Sequence, residues 1–237
     1  MSHEMLSLDE AASHAHIEPN ELRHVAQRGE IDSVNHGDSW FFSHRAVDEW
    51  AQRRLLSLNV KNLRRTHESM MQRRHKDHSS ELSVASLMCE ETVDLHLAAK
   101  AKAGIVRDMT DLADRSGKLY DPDTLFKELL AREEVSSTAI GRNTAFLHPR
   151  FHDPYIFADS FVAYARSEKP IFFGAPDASA TRHFFLICST NHEEHLHILA
   201  RLAVMAHGTD LVGMLDEAED VSAVFAAVKQ CEEEFLK

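Results

Sequence analysis

Phe184-Phe185-Leu186-Ile187-Cys188 is an unbroken apolar run, with no polar side chain to turn toward water. Strands that face solvent on one side alternate apolar and polar residues, so a run without alternation reads as a strand covered on both faces. Phe161-Val162-Ala163-Tyr164-Ala165 repeats the pattern. A sheet buried on both faces needs helices, and amphipathic periodicity supplies them. One runs from Ala98 to Ser116 through Ile105, Met109, Leu112 and Ala113, and is stopped by Gly117. A second starts at Asp121 or Asp123 and buries Leu125, Phe126, Leu129 and Leu130. A third begins near Glu193 with Leu196, Leu199, Ala200 and Ala203, and the last carries Val221, Val224, Phe225, Val228 and Phe235. Thr92 to Leu97 alternates as a first strand, after a short helical entry over Leu82 to Met88. Strands alternating with helices predict an α/β domain over residues 81–237, a mixed sheet flanked by helices.

The preceding residues follow other periods. Leu6 is apolar, Ser7 follows it, and Glu10 comes three positions later, the capping-box spacing for a helix reaching about His14. Pro19 suits the first turn of a second helix, which buries Leu22, Val25 and Ala26 and ends before Gly29. Ile31-Asp32-Ser33-Val34 and Trp40-Phe41-Phe42 flank Asn35-His36-Gly37-Asp38 as a hairpin. Trp40 and Phe42 are expected to pack inward, and His14 and His16 to be exposed. Ser43 caps a third helix whose face is Val47, Trp50, Ala51 and Leu55. Helix, turn, helix, hairpin, helix is a winged helix-turn-helix arrangement over residues 1–55. Residues 56–80 follow as a basic helical linker, since eight cations between Arg53 and Lys76 face Glu68 alone.

The stretches Leu6 to Ala12, Arg28-Gly29-Glu30-Ile31 and Glu49-Trp50 resemble the winged helix-turn-helix domains of the excisionase and MerR type. The resemblance implies a second helix in the DNA major groove with Asn20, Arg23, His24 and Gln27 outward, Arg28 and the wing near phosphates, and a homodimer as the working form. Charge opposes this within the module itself: residues 1–52 hold three arginines and ten acids, and phosphate contacts supply most non-specific DNA affinity. The basic stretch that follows supplies the missing charge, or else the module binds protein.

The segment from Arg132 to Arg150 gives up helical periodicity at Val135-Ser136-Ser137, turns at Gly141 and ends in His148-Pro149-Arg150. An imidazole with an unperturbed pKa of about 6.5 offers an unprotonated ring nitrogen near neutral pH, able to attack phosphorus or take a proton. Nucleophilic use needs neighbours that neutralise phosphoryl oxygens, and Arg132, Arg142 and Arg150 lie in this one segment. Its parts are Arg132-Glu133-Glu134, then Ser137-Thr138-Ala139-Ile140-Gly141, then Asn143 to Phe146, then His148. Downstream come Ile171-Phe172-Phe173-Gly174-Ala175-Pro176-Asp177 and Glu194-His195-Leu196.

This ordered set resembles the phosphoryl-acceptor region of the enzyme IIA domains of the sugar phosphotransferase system, in the fructose/mannitol and nitrogen-regulatory class. The resemblance implies that His148 accepts a phosphoryl group from an HPr-type phosphocarrier protein. His195 is implied to face the acceptor, Arg132 to neutralise charge, and Arg150 to be a secondary phosphate neighbour. Arg142 is read as solvated. One position departs from the pattern: Leu147 stands where the family usually has proline, and leucine restricts the backbone less.

Three function classes follow. The first is a transcriptional regulator whose DNA-binding module is controlled by phosphorylation of His148. The second is a IIA component relaying phosphate to a IIB domain, with the N-terminal module serving assembly. The third is a IIA-shaped binding module without phosphorylation. Cys89, Cys188 and Cys231 are odd in number and far apart, and no long apolar run occurs, so a cytoplasmic chain with no membrane span is expected. Cys188 reads as a small core residue. His192, His195 and His197 miss the i, i+4 spacing of the zinc-protease motif, so no metal is expected, and the lack of a Gly-rich phosphate loop predicts no nucleotide cofactor.

Overall fold

The computed structural model describes residues 5–37, 39–76, 82–150 and 156–236. The chain forms two compact units, Met1–Ser80 and Glu81–Lys237.

The first unit comprises β1 (Met5–Ser7), α1 (Leu8–His14), α2 (Pro19–Gln27), β2 (Val34–His36), β3 (Ser39–Ser43), α3 (His44–Ser57) and α4 (Val60–Lys76). Ser7 and Glu10 form the capping box reciprocally, and Ser43 Oγ accepts from Ala46 N at 3.2 Å to start α3. The strand β1 is additional to the expected hairpin: it pairs with β3, Leu6 opposite Phe42, giving the sheet order β1-β3-β2. Phe42 is completely buried, whereas Trp40 is only half-buried. Trp40 lies beyond the end of β1 and has a strand neighbour on one side only, Asn35 of β2. His14 is not exposed as expected: its Nε2 lies 2.6 Å from Asp48 Oδ1, tying α1 to α3. His16 is half-buried and takes a φ of 54° in the turn between α1 and α2.

The second unit comprises β4 (Val93–Leu97), α5 (Lys102–Asp114), α6 (Pro122–Val135), β5 (Ala139–Gly141), β6 (Thr144–Leu147), β7 (Phe161–Ile171), β8 (Thr181–Cys188), α7 (His192–Gly208), α8 (Leu211–Glu217) and α9 (Val221–Leu236). The sheet order is β4-β7-β8-β6-β5, with β4 parallel to β7, β6 parallel to β8, and the remaining neighbours antiparallel. It is the mixed sheet expected. The helical entry over Leu82 to Met88 reduces to one tight turn at Ala85–Leu87, and α5 starts at Lys102 rather than Ala98, because Ala101 is still extended. Helix α8 has no counterpart among the expected elements.

The period of two divides the strands between two cores. Ala145, Leu147, Phe161, Ala163, Ala165, Phe184, Leu186 and Cys188 join Ile105, Met109, Leu112, Leu125 and Leu129 of α5 and α6. Cys188 is a core residue as expected, and burial pushes its thiol well up from the usual range. The alternate residues Phe146 and Phe185 meet edge to face, with ring centroids 5.8 Å apart, on the side covered by α7. Every α7 residue from His195 to Ala206 is buried. Among the described residues, no single helix is long and apolar enough to cross a membrane.

Candidate active site

The parallel pairing of β6 with β8, Leu147 opposite Leu186, brings the carboxyl ends of both strands side by side. In open α/β sheets such ends are where binding crevices form, because the chain leaves each strand there for a loop or a helix N-terminus. His148 is the residue after β6. Helix α7 follows β8 after Ser189-Thr190-Asn191 and carries His195 in its first turn. Leu147 is almost completely buried in the α5/α6 core and sits in the ladder, so packing and pairing fix the backbone before His148, where proline would do so through its ring.

His148 and His195 are both buried, with ring centroids 4.8 Å apart and planes tilted by 55°. His148 Nδ1 lies 3.1 Å from the carbonyl oxygen of Pro149. A carbonyl can only accept, so Nδ1 carries the proton, and the lone pair of the neutral ring is at Nε2. Asn191 caps α7, accepting from Glu194 N at 3.0 Å, and the amides of a helix N-terminus favour an anion.

The motif around Arg132 is one hydrogen-bonded turn. Arg132 is buried in the last turn of α6, and its Nη1 donates to the carbonyl of Ser136 at 2.8 Å and to its hydroxyl at 3.2 Å. Glu133 Oε1 accepts from Thr138 N at 2.9 Å and from the Thr138 hydroxyl, while Lys102 Nζ lies 2.8 Å from Oε2. Ser137 Oγ donates to the Phe173 carbonyl at 2.8 Å. Gly141 has a φ of +84°, and a Cβ there would stand 2.7 Å from Asp177 Oδ2. The downstream Ile171 to Asp177 segment is therefore the floor of the same turn. Hydrogen bonds from Ser179 hold the Asp177 carboxyl below the usual carboxylate range.

Arg142 is exposed, as the solvated reading expects, yet it is also anchored. It has a φ of 49°, and its Nη1 donates to the carbonyls of Ala206 at 3.0 Å and His207 at 2.9 Å, capping the C-terminus of α7. Arg150 is half-buried and borders residues 151–155, which lie outside the described residues. In the first unit, Asn20, Arg23, His24, Gln27 and Arg28 are all exposed along α2 and its C-cap. Arg28 Nε is 2.5 Å from Glu30, and His24 Nδ1 is 3.3 Å from Gln27 Oε1. A groove of about 940 Å³ runs between α2 and α3, lined by Asn20, His24, Arg28, Trp50, Arg53 and Arg54 among others.

Two polar groups carry no sequence signal. Ser160 Oγ donates to Glu194 Oε2 at 2.5 Å, next to His195. Near the other end of β8, buried His183 lies 2.9 Å from the Tyr164 hydroxyl through Nδ1 and 3.3 Å from Asp216 through Nε2. Burial pulls its pKa down to about 4, and Arg182 and Arg166 push the same way against the opposing Asp216.

Comparison with known proteins finds relatives over part of the chain. The fructose-specific EIIABC component of the phosphotransferase system of Bacillus subtilis is 26% identical over 151 residues, 63% of this chain but only 23% of that much longer protein. The fructose-specific EIIA component of Haloferax volcanii is 29% identical over 136 residues, 56% of this chain and 86% of that one. Among solved structures, nitrogen regulatory protein IIA-Ntr of Neisseria meningitidis shares the fold, with a TM-score of 0.55 at 22% identity over 61% of this chain and 98% of its own. IIA mannitol of Escherichia coli follows with a TM-score of 0.53 at 18% identity over 60% of this chain and 98% of its own. Residues 86–231 match the family described as "Phosphoenolpyruvate-dependent sugar phosphotransferase system, EIIA 2", and the chain belongs to that family.

Proposed function

We propose that this protein is a phosphocarrier of the phosphotransferase system, with His148 as its phosphoacceptor. The observation that carries the proposal is the buried pairing of His148 with His195, with Nδ1 of His148 tied to the Pro149 carbonyl. In the reaction, His148 Nε2 attacks the phosphorus of a phosphohistidine on an HPr-type carrier. The phosphorus–nitrogen bond of the carrier breaks, and its imidazole leaves with the electron pair. Transfer between ring nitrogens asks for alignment and charge neutralisation rather than further covalent chemistry. His195 and the first amides of α7 face the incoming oxygens, and Arg132 adds positive charge at the turn. In passing the group to a IIB domain, a nucleophile of that domain attacks the phosphorus, the bond to His148 Nε2 breaks, and the His148 imidazole leaves with the electron pair. A IIA component is favoured over a purely regulatory chain because the family matched over residues 86–231 is described as a sugar phosphotransferase component.

The test is incubation with a phosphorylated HPr-type carrier, followed by mass analysis for acid-labile phosphate on wild type, His148→Ala and His195→Ala. Label on wild type that is lost in His148→Ala supports the acceptor role. Label retained in His148→Ala removes it.

A second role rests on the first unit. We infer that residues 1–55 are a winged DNA reader and residues 56–80 a basic helical linker, so that phosphorylation adds close to two negative charges to a regulator. The supporting observation is that Asn20, Arg23, His24, Gln27 and Arg28 share one exposed face of α2. Retention on DNA that disappears on deleting residues 1–76, while labelling of His148 persists, is the expected result. Retention unchanged by the deletion removes this role and leaves the carrier.

A further inference from the structure

Ser160 precedes β7, and the pairing of Phe161 with Cys188 sets it beside the loop that leaves β8. Its hydroxyl donates to Glu194 Oε2 at 2.5 Å and accepts the backbone N–H of Thr190 at 3.1 Å. Thr190 Oγ1 lies 3.5 Å from the same carboxylate oxygen. Three segments therefore converge on one carboxylate: the start of β7, the loop after β8 and the first turn of α7. Glu194 is adjacent to His195 in that turn. Successive helical residues are separated by a fixed rotation, about 100° at 3.6 residues per turn, so holding the side chain at one position sets the direction of the next. A glutamate in a first turn otherwise finds its favourable partner in the helix's own amides. Here it is drawn sideways onto the sheet.

Resting on the phosphoacceptor role of His148, we propose that Ser160 and Glu194 are positioning residues that lock the first turn of α7 so that His195 faces His148. Neither touches the reacting atoms. Their hydrogen bond sets the 4.8 Å separation of the two rings across which the phosphoryl group is held. Small misalignments of well-placed groups cost large factors in rate, so loss of this tether is expected to slow transfer about tenfold.

The full-length protein is tested in single-turnover labelling with a phosphorylated HPr-type carrier at varied concentration, and by imidazole nitrogen NMR of His195. Ser160→Ala and Glu194→Ala should each lower the maximal transfer rate about tenfold, with the carrier concentration for half-maximal rate changed less than about twofold. The His195 ring resonances should move in both. Glu194→Gln keeps an oxygen that accepts from Ser160, and should restore most of what Glu194→Ala loses. Rates unchanged in both alanine variants overturn the proposal, as does a Glu194→Gln variant as slow as Glu194→Ala, because the loss would then follow charge rather than the tether. If Ser160→Ala fails to fold, the two Glu194 variants decide alone. No label on the wild type overturns the phosphoacceptor role itself and this proposal with it, an outcome separable from slow labelling.

Discussion

Glu133 holds Thr138 by both of its donors on a single oxygen: Oε1 accepts the backbone N–H at 2.9 Å and the hydroxyl as well. Lys102 occupies the other oxygen, and both Glu133 and Thr138 are buried. Glu133→Ala leaves two buried donors and a lysine without their acceptor, and should destabilise the second unit by about 2–4 kcal/mol in urea unfolding. Thr138→Val keeps the backbone bond and should cost about 1–2 kcal/mol. A Glu133→Ala variant as stable as wild type would mean that the turn holds without its carboxylate.

Gly141 and Gly117 separate conformational strain from steric conflict. Both have positive φ, +84° and +67°, but a Cβ on Gly117 meets nothing within 4 Å, whereas one on Gly141 stands 2.7 Å from Asp177 Oδ2. Gly117→Ala should cost about 1–2 kcal/mol for the left-handed conformation alone. Gly141→Ala should cost more. Equal melting temperatures for the two variants would show that Asp177 moves aside without penalty.

Arg201 is completely buried and pairs with Glu232 at 2.8 Å, joining α7 to α9. The same carboxylate accepts from Val84 N at 2.7 Å and Ser83 Oγ at 2.6 Å, and Arg201 donates to the Leu82 carbonyl at 2.5 Å. Breaking a buried pair from one side strands the other charge, so Arg201→Met should cost about 3–5 kcal/mol. Adding Glu232→Gln removes the stranded charge and should recover part of that loss. A double-mutant cycle with no coupling would contradict the pairing.

His183 makes stability depend on pH. Its folded pKa of about 4 lies below the ordinary 6.5, so the unfolded chain takes up the proton first as pH falls. The contribution is intact above pH 6.5 and is lost as pH falls toward 4, where both states are protonated. The loss over that window should be about 3 kcal/mol. His183→Gln should flatten urea-unfolding free energies between those limits, and an unflattened profile would assign the slope to other groups.

The parts of the fold readable from sequence are those with local causes. Ser7 with Glu10, Pro19 and Ser43 announce helix starts within one turn, and Phe184 to Cys188 can be satisfied only between two layers. The strand β1 was not legible, since three residues carry no period and its reason for being extended is β3, far along the chain. Helix α8 was hidden by its shortness and by Gly213, whose missing side chain makes room for the Asp210 carboxylate. His148 and His195 were legible as motif positions, but Arg142 at the end of α7 and Ser160 against Glu194 were not. Their partners lie many residues away, and no spacing rule links an arginine in a turn to a carbonyl at a distant helix end.

The register of β6 against β8 also fixes when the surroundings of His148 are assembled. During synthesis His148 emerges well before Thr181 to Cys188, the strand that gives β6 its parallel neighbour, and before the helix that carries His195. Non-local strand pairing is the slow part of folding, because chain closure precedes its reward. A nascent or truncated chain ending ahead of β8 thus carries the histidine without its pocket. The pairing of the two buried rings is acquired only once β8 and the first turn of α7 are in place.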